Sequence, residues 1–338
     1  MFPKIIVRLA LLPFFVAAVS SPAARAQAGA PFVPAPMLPG GIVLPLYPSD
    51  SPLLKRERLH EEEKYNTTSG GVAGGARVQS VINIHNPSIE VHLAGGRASN
   101  GAAVIIAPGG GHRILWVGPE GGDFASFFAN YGVSTVILRN RLRVDGYEPT
   151  TDAVNDAFQA IRLVRANVAK WKLDPAKIGI VGFSAGAELA APAALFFEEF
   201  ARKNDNAADP LAKVSPRPDF IGLIYPGPTP FAKGATPAIP PNVPPAFIAS
   251  AGAGDRVHAV WANEYFTPML VAGVPNVEMH IYGNGGHGGG MKFRDGIPFG
   301  TWHERFVEWF RDLGFMDKPG TVTKAAKDVA AFATKGGK

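Results

Sequence analysis

From Val78 onward, short apolar runs alternate with amphipathic stretches. "VQSVINIHNPSIEVHLA" reads as two strands joined at the Asn86-Pro87 turn. "AAVIIA" (102–107) is a continuous apolar run, as expected of a strand buried on both faces. A helix in "GGDFASFFANYG", ended by Gly132, and a strand in "VSTVIL" (133–138) follow. Between Thr151 and Lys170, Val154, Phe158, Ile161, Val164 and Val168 recur at steps of three and four, which predicts a helix with one buried stripe. "KIGIVGF" (177–183) then predicts a buried strand running into the small-residue helix "SAGAELAAPAALFFEEFA". Further strands are predicted at 220–225, 246–251 and 277–282, with helices near 258–272 and 301–313. Strands alternating with helices predict a doubly wound, mostly parallel α/β sheet.

The remainder of the chain lacks this texture. Lys4 and Arg8 precede an apolar run from Leu9 to Val19, and Ala24-Arg25-Ala26 supplies a cleavage pattern. Residues 1–26 therefore read as a secretory signal, whose eleven-residue apolar run is too short to span a hydrocarbon core of about 30 Å. A secreted or periplasmic protein is expected, and with no cysteine it has neither a lipid anchor site nor disulfides. Residues 27–77 read as a Pro/Gly-rich extended lead-in, with six prolines between 27 and 48. Residues 78–315 form the catalytic domain of this reading, and 316–338 a basic, flexible tail. Residues 226–245 hold eight prolines and read as a loop, covering a site or merely connecting strands.

With 338 residues, 46% apolar and 18% charged, the chain is globular. Its net charge of +5 includes Lys4, Arg8 and Arg25, and losing these three leaves +2. That balance makes no case for nucleic acid.

The chemistry starts at Gly182-Phe183-Ser184-Ala185-Gly186, a G-x-S-x-G set directly after a strand and before a helix. Such a turn lifts a serine hydroxyl above the sheet edge, so Ser184 is the expected nucleophile. A serine at neutral pH needs a base, and the base an orienting carboxylate. In this strand–turn–helix setting they follow in the order Ser, Asp or Glu, His, each just past a strand. Asp255 lies four residues past 251 and His287 five past 282, so they are the expected acid and base. His280 falls inside a strand, and His258 lies too close to Asp255 in sequence to leave the last strand a role. The "PGGGH" loop after 102–107 is placed to stabilise an oxyanion, with Gly110, Gly111 and Ala185 as the N–H donors. His112, Arg113 and Trp116 are candidates for lining the substrate site.

Gly283 to Gly288 formally matches a dinucleotide fingerprint, but the glycine- and proline-rich "GGGMKFRDGIPFG" that follows cannot open a helix. Neither a phosphate-binding loop nor a metal-ligand spacing is present in the sequence.

"APGGGHRILW", "EGGDFASFFANYGVSTVIL", "DPAKIGIVGFSAG", "GDRV" and "GNGGHG" together resemble α/β-hydrolase esterases. More narrowly they resemble the secreted acetyl-xylan and feruloyl esterase-like branch, over roughly residues 78–315. The resemblance implies an α/β-hydrolase fold, ester hydrolysis by Ser184, Asp255 and His287, and no metal or organic cofactor. The implied partner is a small-molecule or polysaccharide ester, acetyl esters foremost. Pro108 stands where the lipase-type relatives have histidine, and His112 where the esterase branch often has tyrosine. The alternatives are a lipase or general carboxylesterase on longer acyl chains, an exported serine peptidase of the same superfamily, and a catalytically inactive binding module. The peptidase lacks room for an N-terminal propeller, and the complete triad argues against the inactive module.

Overall fold

In the computed structural model, residues 29–70, 76–95, 99–206, 209–291 and 296–335 are described. The expected signal segment lies outside them. Among these residues ten strands form: β1 (Ile42–Pro45), β2 (Lys64–Thr68), β3 (Arg77–Ile82), β4 (Ser88–His92), β5 (Ala103–Ala107), β6 (Ser134–Arg139), β7 (Ile178–Phe183), β8 (Ile221–Ile224), β9 (Ala246–Ala251) and β10 (Glu278–Tyr282). Among the described residues eight α-helices accompany them: α1 (Asp123–Ala129), α2 (Val154–Ala166), α3 (Val168–Trp171), α4 (Ala187–Leu195), α5 (Phe197–Lys203), α6 (Arg256–Val271), α7 (Trp302–Asp312) and α8 (Lys324–Thr334).

The main sheet has eight strands in the order β1-β4-β6-β5-β7-β8-β9-β10. Strands β6 to β10 run parallel, while β4 pairs antiparallel with β6 and β1 antiparallel with β4. The continuous apolar run of β5 has a simple cause. Ala103, Ile105 and Ala107 face one core, against α2 and α4, while Val104 and Ile106 face another, with Phe124 of α1 and Trp302 and Phe306 of α7. A strand covered on both faces cannot show polar alternation. From β5 the chain steps outward to β6 and then returns across β5 to β7. That reversal opens a crevice at the carboxyl ends of β5 and β7, where open α/β sheets place their ligands. Among the described residues no helix is long and apolar enough to cross a membrane.

Three sequence expectations are corrected. The lead-in belongs to the domain. Ile42 to Pro45 form the edge strand, Leu46, Tyr47, Leu54 and Leu59 are buried, and the backbone N–H groups of Met37 and Leu38 donate to Glu90. Its apolar runs are only three or four residues long and are cut by proline, so no period marks them. The strands either side of Asn86-Pro87 do not pair with each other. β3 pairs with β2 in a separate two-stranded sheet, and β4 enters the main sheet. The tail from 316 to 335 is ordered. Thr323 Oγ1 accepts from the N–H of Ala326 at 3.0 Å to cap α8, Ala325 and Val329 are buried one turn apart, and Lys177 Nζ donates to the Asp317 carbonyl at 2.6 Å. Four lysines in that stretch disguise an i, i+4 apolar stripe.

One acid-sensitive group is built into this frame. His85 is buried, bonded to the Tyr147 hydroxyl at 2.9 Å, and burial followed by the positive charge of Arg58 holds its pKa below the ordinary histidine value. The unfolded chain therefore binds the proton first as pH falls, so this contribution is whole above about pH 6.5 and is lost below it. The urea midpoint should fall between about pH 7 and 5, and His85→Gln should flatten that slope. An unchanged slope in the variant would contradict the assignment.

Candidate active site

β7 ends at Phe183, and Ser184 opens a single helical turn that leads into α4. Ser184 has φ +51°, a conformation that L residues seldom adopt, and it marks the strained turn expected of an exposed nucleophile. Gly186 is obligatory there, because a Cβ would overlap the Ala107 carbonyl oxygen of neighbouring β5. The tight turn faces the hydroxyl toward the loop that follows β10. Ser184 Oγ lies 2.9 Å from His287 Nε2, and His287 Nδ1 lies 2.8 Å from Asp255 Oδ2. A carboxylate only accepts, so His287 donates from Nδ1 and Nε2 is left to accept from the serine. Asp255 is 6% exposed whereas the side chain of His287 is 36% exposed, so the buried group orients and the accessible one can exchange protons.

The loop after β5 curls back over this chain through three successive positive φ values, +130° at Gly110, +63° at Gly111 and +58° at His112. Gly110 could not be another residue, since a Cβ would overlap the Ile114 carbonyl oxygen. The Gly109 N–H is given to Glu120 Oε2 at 2.8 Å. Gly110 and Gly111 lie beside Ser184 and His287 on the wall of a cavity of about 570 Å³. Ala185, the third donor expected, is buried at the start of the turn.

Of the three residues expected to line the substrate site, the structure brings only Trp116 to the cavity. His112 is a correction. The curl of the loop turns it inward, where it is buried with Nε2 3.1 Å from Glu188 Oε2 in the first turn of α4. Arg113 is exposed and away from the cavity lining, a second correction. Gln79, Pro119, Glu120, Gly288 and Gly289 take those places.

The family described as BD-FAE matches residues 118–220. An acetylxylan esterase of Xylanibacter ruminicola is 29% identical over 228 residues, which are 64% of this chain and 45% of that protein. Endo-1,4-beta-xylanase B of Butyrivibrio fibrisolvens is 31% identical over 172 residues, 51% of this chain and 24% of that one. This chain thus spans less than half the length of those relatives. An acetyl ester-xyloside bifunctional hydrolase from Caldicellulosiruptor lactoaceticus superposes with a TM-score of 0.59 at 27% identity, covering 68% of this chain and 89% of its own. A thermophilic esterase from Thermogutta terrifontis shares the fold, with a TM-score of 0.58 at 20% identity over 76% of this chain and 95% of its own. The chain has the α/β-hydrolase fold and is similar to esterases of the acetyl-xylan esterase-like branch.

Two features of this α/β-hydrolase were not foreseen from its sequence. Glu120 is buried and ties the two catalytic loops together. Its Oε2 accepts from Gly109, its Oε1 accepts from the Tyr225 hydroxyl at 2.6 Å, and that hydroxyl accepts from the Gly290 N–H at 3.1 Å. The Tyr225 ring meets His287 edge-on with centroids 5.0 Å apart. In the sequence Glu120 is only an acid inside "GPEGGDF", and nothing there foretells its partners.

The second feature is His258, whose Nδ1 lies 2.5 Å from Asp255 Oδ1 and whose ring stacks on His287 at 3.8 Å between centroids. Its signal was the i, i+3 spacing from Asp255 on the first turn of α6, which brings both side chains to one face. Asp255, His258 and His287 hold one donor atom each within 4.8 Å of the others, a grouping that could also hold a cation. Here both Nδ1 atoms donate to the carboxylate, so the cluster is a hydrogen-bonded unit.

Proposed function

We propose that this chain is an exported serine hydrolase that removes small acyl groups, acetyl foremost, from plant polysaccharide or related carbohydrate esters. The observation that carries the hydrolytic part is the single line of hydrogen bonds from Ser184 through His287 to Asp255 at the wall of a cavity. In the proposed reaction His287 Nε2 takes the proton of Ser184 as Oγ attacks the ester carbonyl. The charge that develops on the carbonyl oxygen is met by N–H groups of Ala185 and of Gly110 or Gly111, and each such donor is typically worth about 10²–10³ in rate. The imidazolium then returns its proton to the departing alcohol, and water, deprotonated by the same nitrogen, releases the acid.

The acetyl and carbohydrate part is supported by the relatives, two of which carry acetyl esters of xylan or xylosides in their names. Export is supported by the pattern of residues 1–26. The proline-rich loop bears on the lipase alternative. Phe231 packs on Tyr265 of α6 at 5.7 Å, and the residues lining the cavity include none from 226–245, which supports the small-acyl reading over a lipase.

Initial rates on p-nitrophenyl esters from acetate to palmitate, together with acetate release from acetylated xylan, test the proposal. The acetate ester should have the highest kcat/KM, and xylan should release acetate. A maximum at palmitate would move the assignment to a lipase.

A further inference from the structure

Asp255 is the first residue before α6, yet its side chain makes no capping bond to the helix. An aspartate at that position usually accepts from the backbone N–H groups of the first turn. Here both oxygens are given to imidazoles instead, Oδ2 to His287 and Oδ1 to His258. The proposed reaction uses only one of those rings. Building on that reaction, we infer that His258 is a positioning residue: it pins the free oxygen of Asp255 and lays a neutral ring against His287.

The geometry gives this two consequences. A carboxylate held by one oxygen alone can turn about its side-chain torsions. Anchoring Oδ1 leaves Oδ2 facing His287 Nδ1, and that fixes the direction of Nε2 toward Ser184. The second consequence concerns charge. The rings of His258 and His287 are stacked at 3.8 Å with 23° between their planes, and Trp261 closes on His258 edge-on at 5.1 Å. A cation on His287 during turnover is tolerable only if His258 is neutral, because two imidazolium ions at that separation repel.

The charged or titratable groups that act on His258 are Asp255, His287 and Glu188. Burial is the leading influence and lowers its pKa below the ordinary histidine value, Asp255 opposes this, and His287 adds to the lowering. His258 therefore stays neutral at pH 7, donating from Nδ1, while His287 gains and loses its proton. By drawing charge from the Asp255 carboxylate it also weakens the hold of that carboxylate on a proton at His287.

Three variants separate these roles, assayed on p-nitrophenyl acetate across pH. His258→Ala should lower kcat by about 10–100-fold with KM within about twofold, since orientation and not binding is lost. The acid limb of its kcat/KM profile should move to higher pH by about 0.5 unit or more, because the unshared carboxylate favours the protonated partner. His258→Gln can donate to Oδ1 and should recover most of kcat. His258→Phe keeps a ring in the stack but no donor, and should resemble the alanine variant. Proton NMR adds a readout independent of turnover: the low-field ring N–H signal between His287 and Asp255 should shift in the alanine variant and return in the glutamine variant.

Wild-type kcat and acid limb in His258→Ala would overturn the inference. So would equal loss in the alanine and glutamine variants with an unmoved acid limb, the mark of a merely structural residue. Labelling of Ser184 by a fluorophosphonate probe tests the hydrolase reading separately. An unlabelled wild-type protein would sink that reading, whereas normal labelling with indifferent His258 variants would sink only this inference.

Discussion

Replacing Ser184 by alanine should lower ester turnover by about 10⁴–10⁶ while leaving the fold intact. The size follows from the chemistry. His287 would still be held by Asp255 at 2.8 Å and the glycine loop would still face the cavity, but no oxygen would be left to form the acyl-enzyme. What survives is the modest help that oxyanion donors and binding give to direct attack by water, about 10³–10⁴ over solution. Thermal stability should change little, since alanine can occupy the positive φ of Ser184 at no greater cost than serine. Initial rates on p-nitrophenyl acetate, together with far-UV circular dichroism to confirm folding, decide the matter. A folded alanine variant within tenfold of wild type would remove Ser184 from the mechanism.

The largest effect on stability is expected far from the cavity. Asp156 of α2 is fully buried, and its carboxylate takes the Arg141 guanidinium at 2.7 Å, the Arg141 backbone N–H at 2.9 Å and the Tyr47 hydroxyl at 3.1 Å. The same guanidinium donates to the Leu53 carbonyl at 2.7 Å and the Asp152 carbonyl at 3.0 Å. One ion pair thus binds the N-terminal segment, the end of β6 and the start of α2. Asp156→Ala leaves the buried Arg141 charge with only the partly exposed Asp152 carboxylate, 3.1 Å away, as counterion and should cost about 3 kcal/mol in urea denaturation. The double variant Asp156→Leu with Arg141→Met, apolar on both sides, should be less damaged than Asp156→Ala, because the penalty lies in the under-compensated buried charge. An alanine variant with a wild-type urea midpoint would show that the pair is not confined as the hydrogen bonds imply.

Why some of this was legible in the chain can be argued residue by residue. Ser184, Asp255 and His287 each stand a few residues beyond an apolar run, and a parallel sheet sends all such ends to one edge. Their meeting is therefore a consequence of topology, and the spacing alone announces it. Gly110 and Gly111 were legible for the same reason. The residues of the wall were not. His112 follows those glycines directly, yet the third positive φ in succession turns it into the protein toward Glu188. Neither helix nor strand period describes a loop, so no pattern in the chain says which way a loop side chain faces.

The ends of the domain illustrate the complementary limit. Ala325 and Val329 show the apolar spacing of a helix, but the charged residues around them hid it until the helix was seen against Leu313 and its neighbours. Tyr47, Leu53 and Glu90 become structural only through Asp156, Arg141, Met37 and Leu38, partners from 52 to 109 positions away.

By itself, then, the sequence determined the parallel strands from β5 to β10, the helices between most of them, and the three residues that the common edge of those strands brings together. Periodicity and strand-end position are local properties, and they carry that much. Only the tertiary structure decided that Asp255 serves two imidazoles, that Glu120 joins the glycine loop to the histidine loop, and that Trp116 and Gln79 face the cavity in place of His112 and Arg113. Those are matters of where loops turn and which distant groups share one carboxylate, and such contacts exist only once the chain has closed on itself.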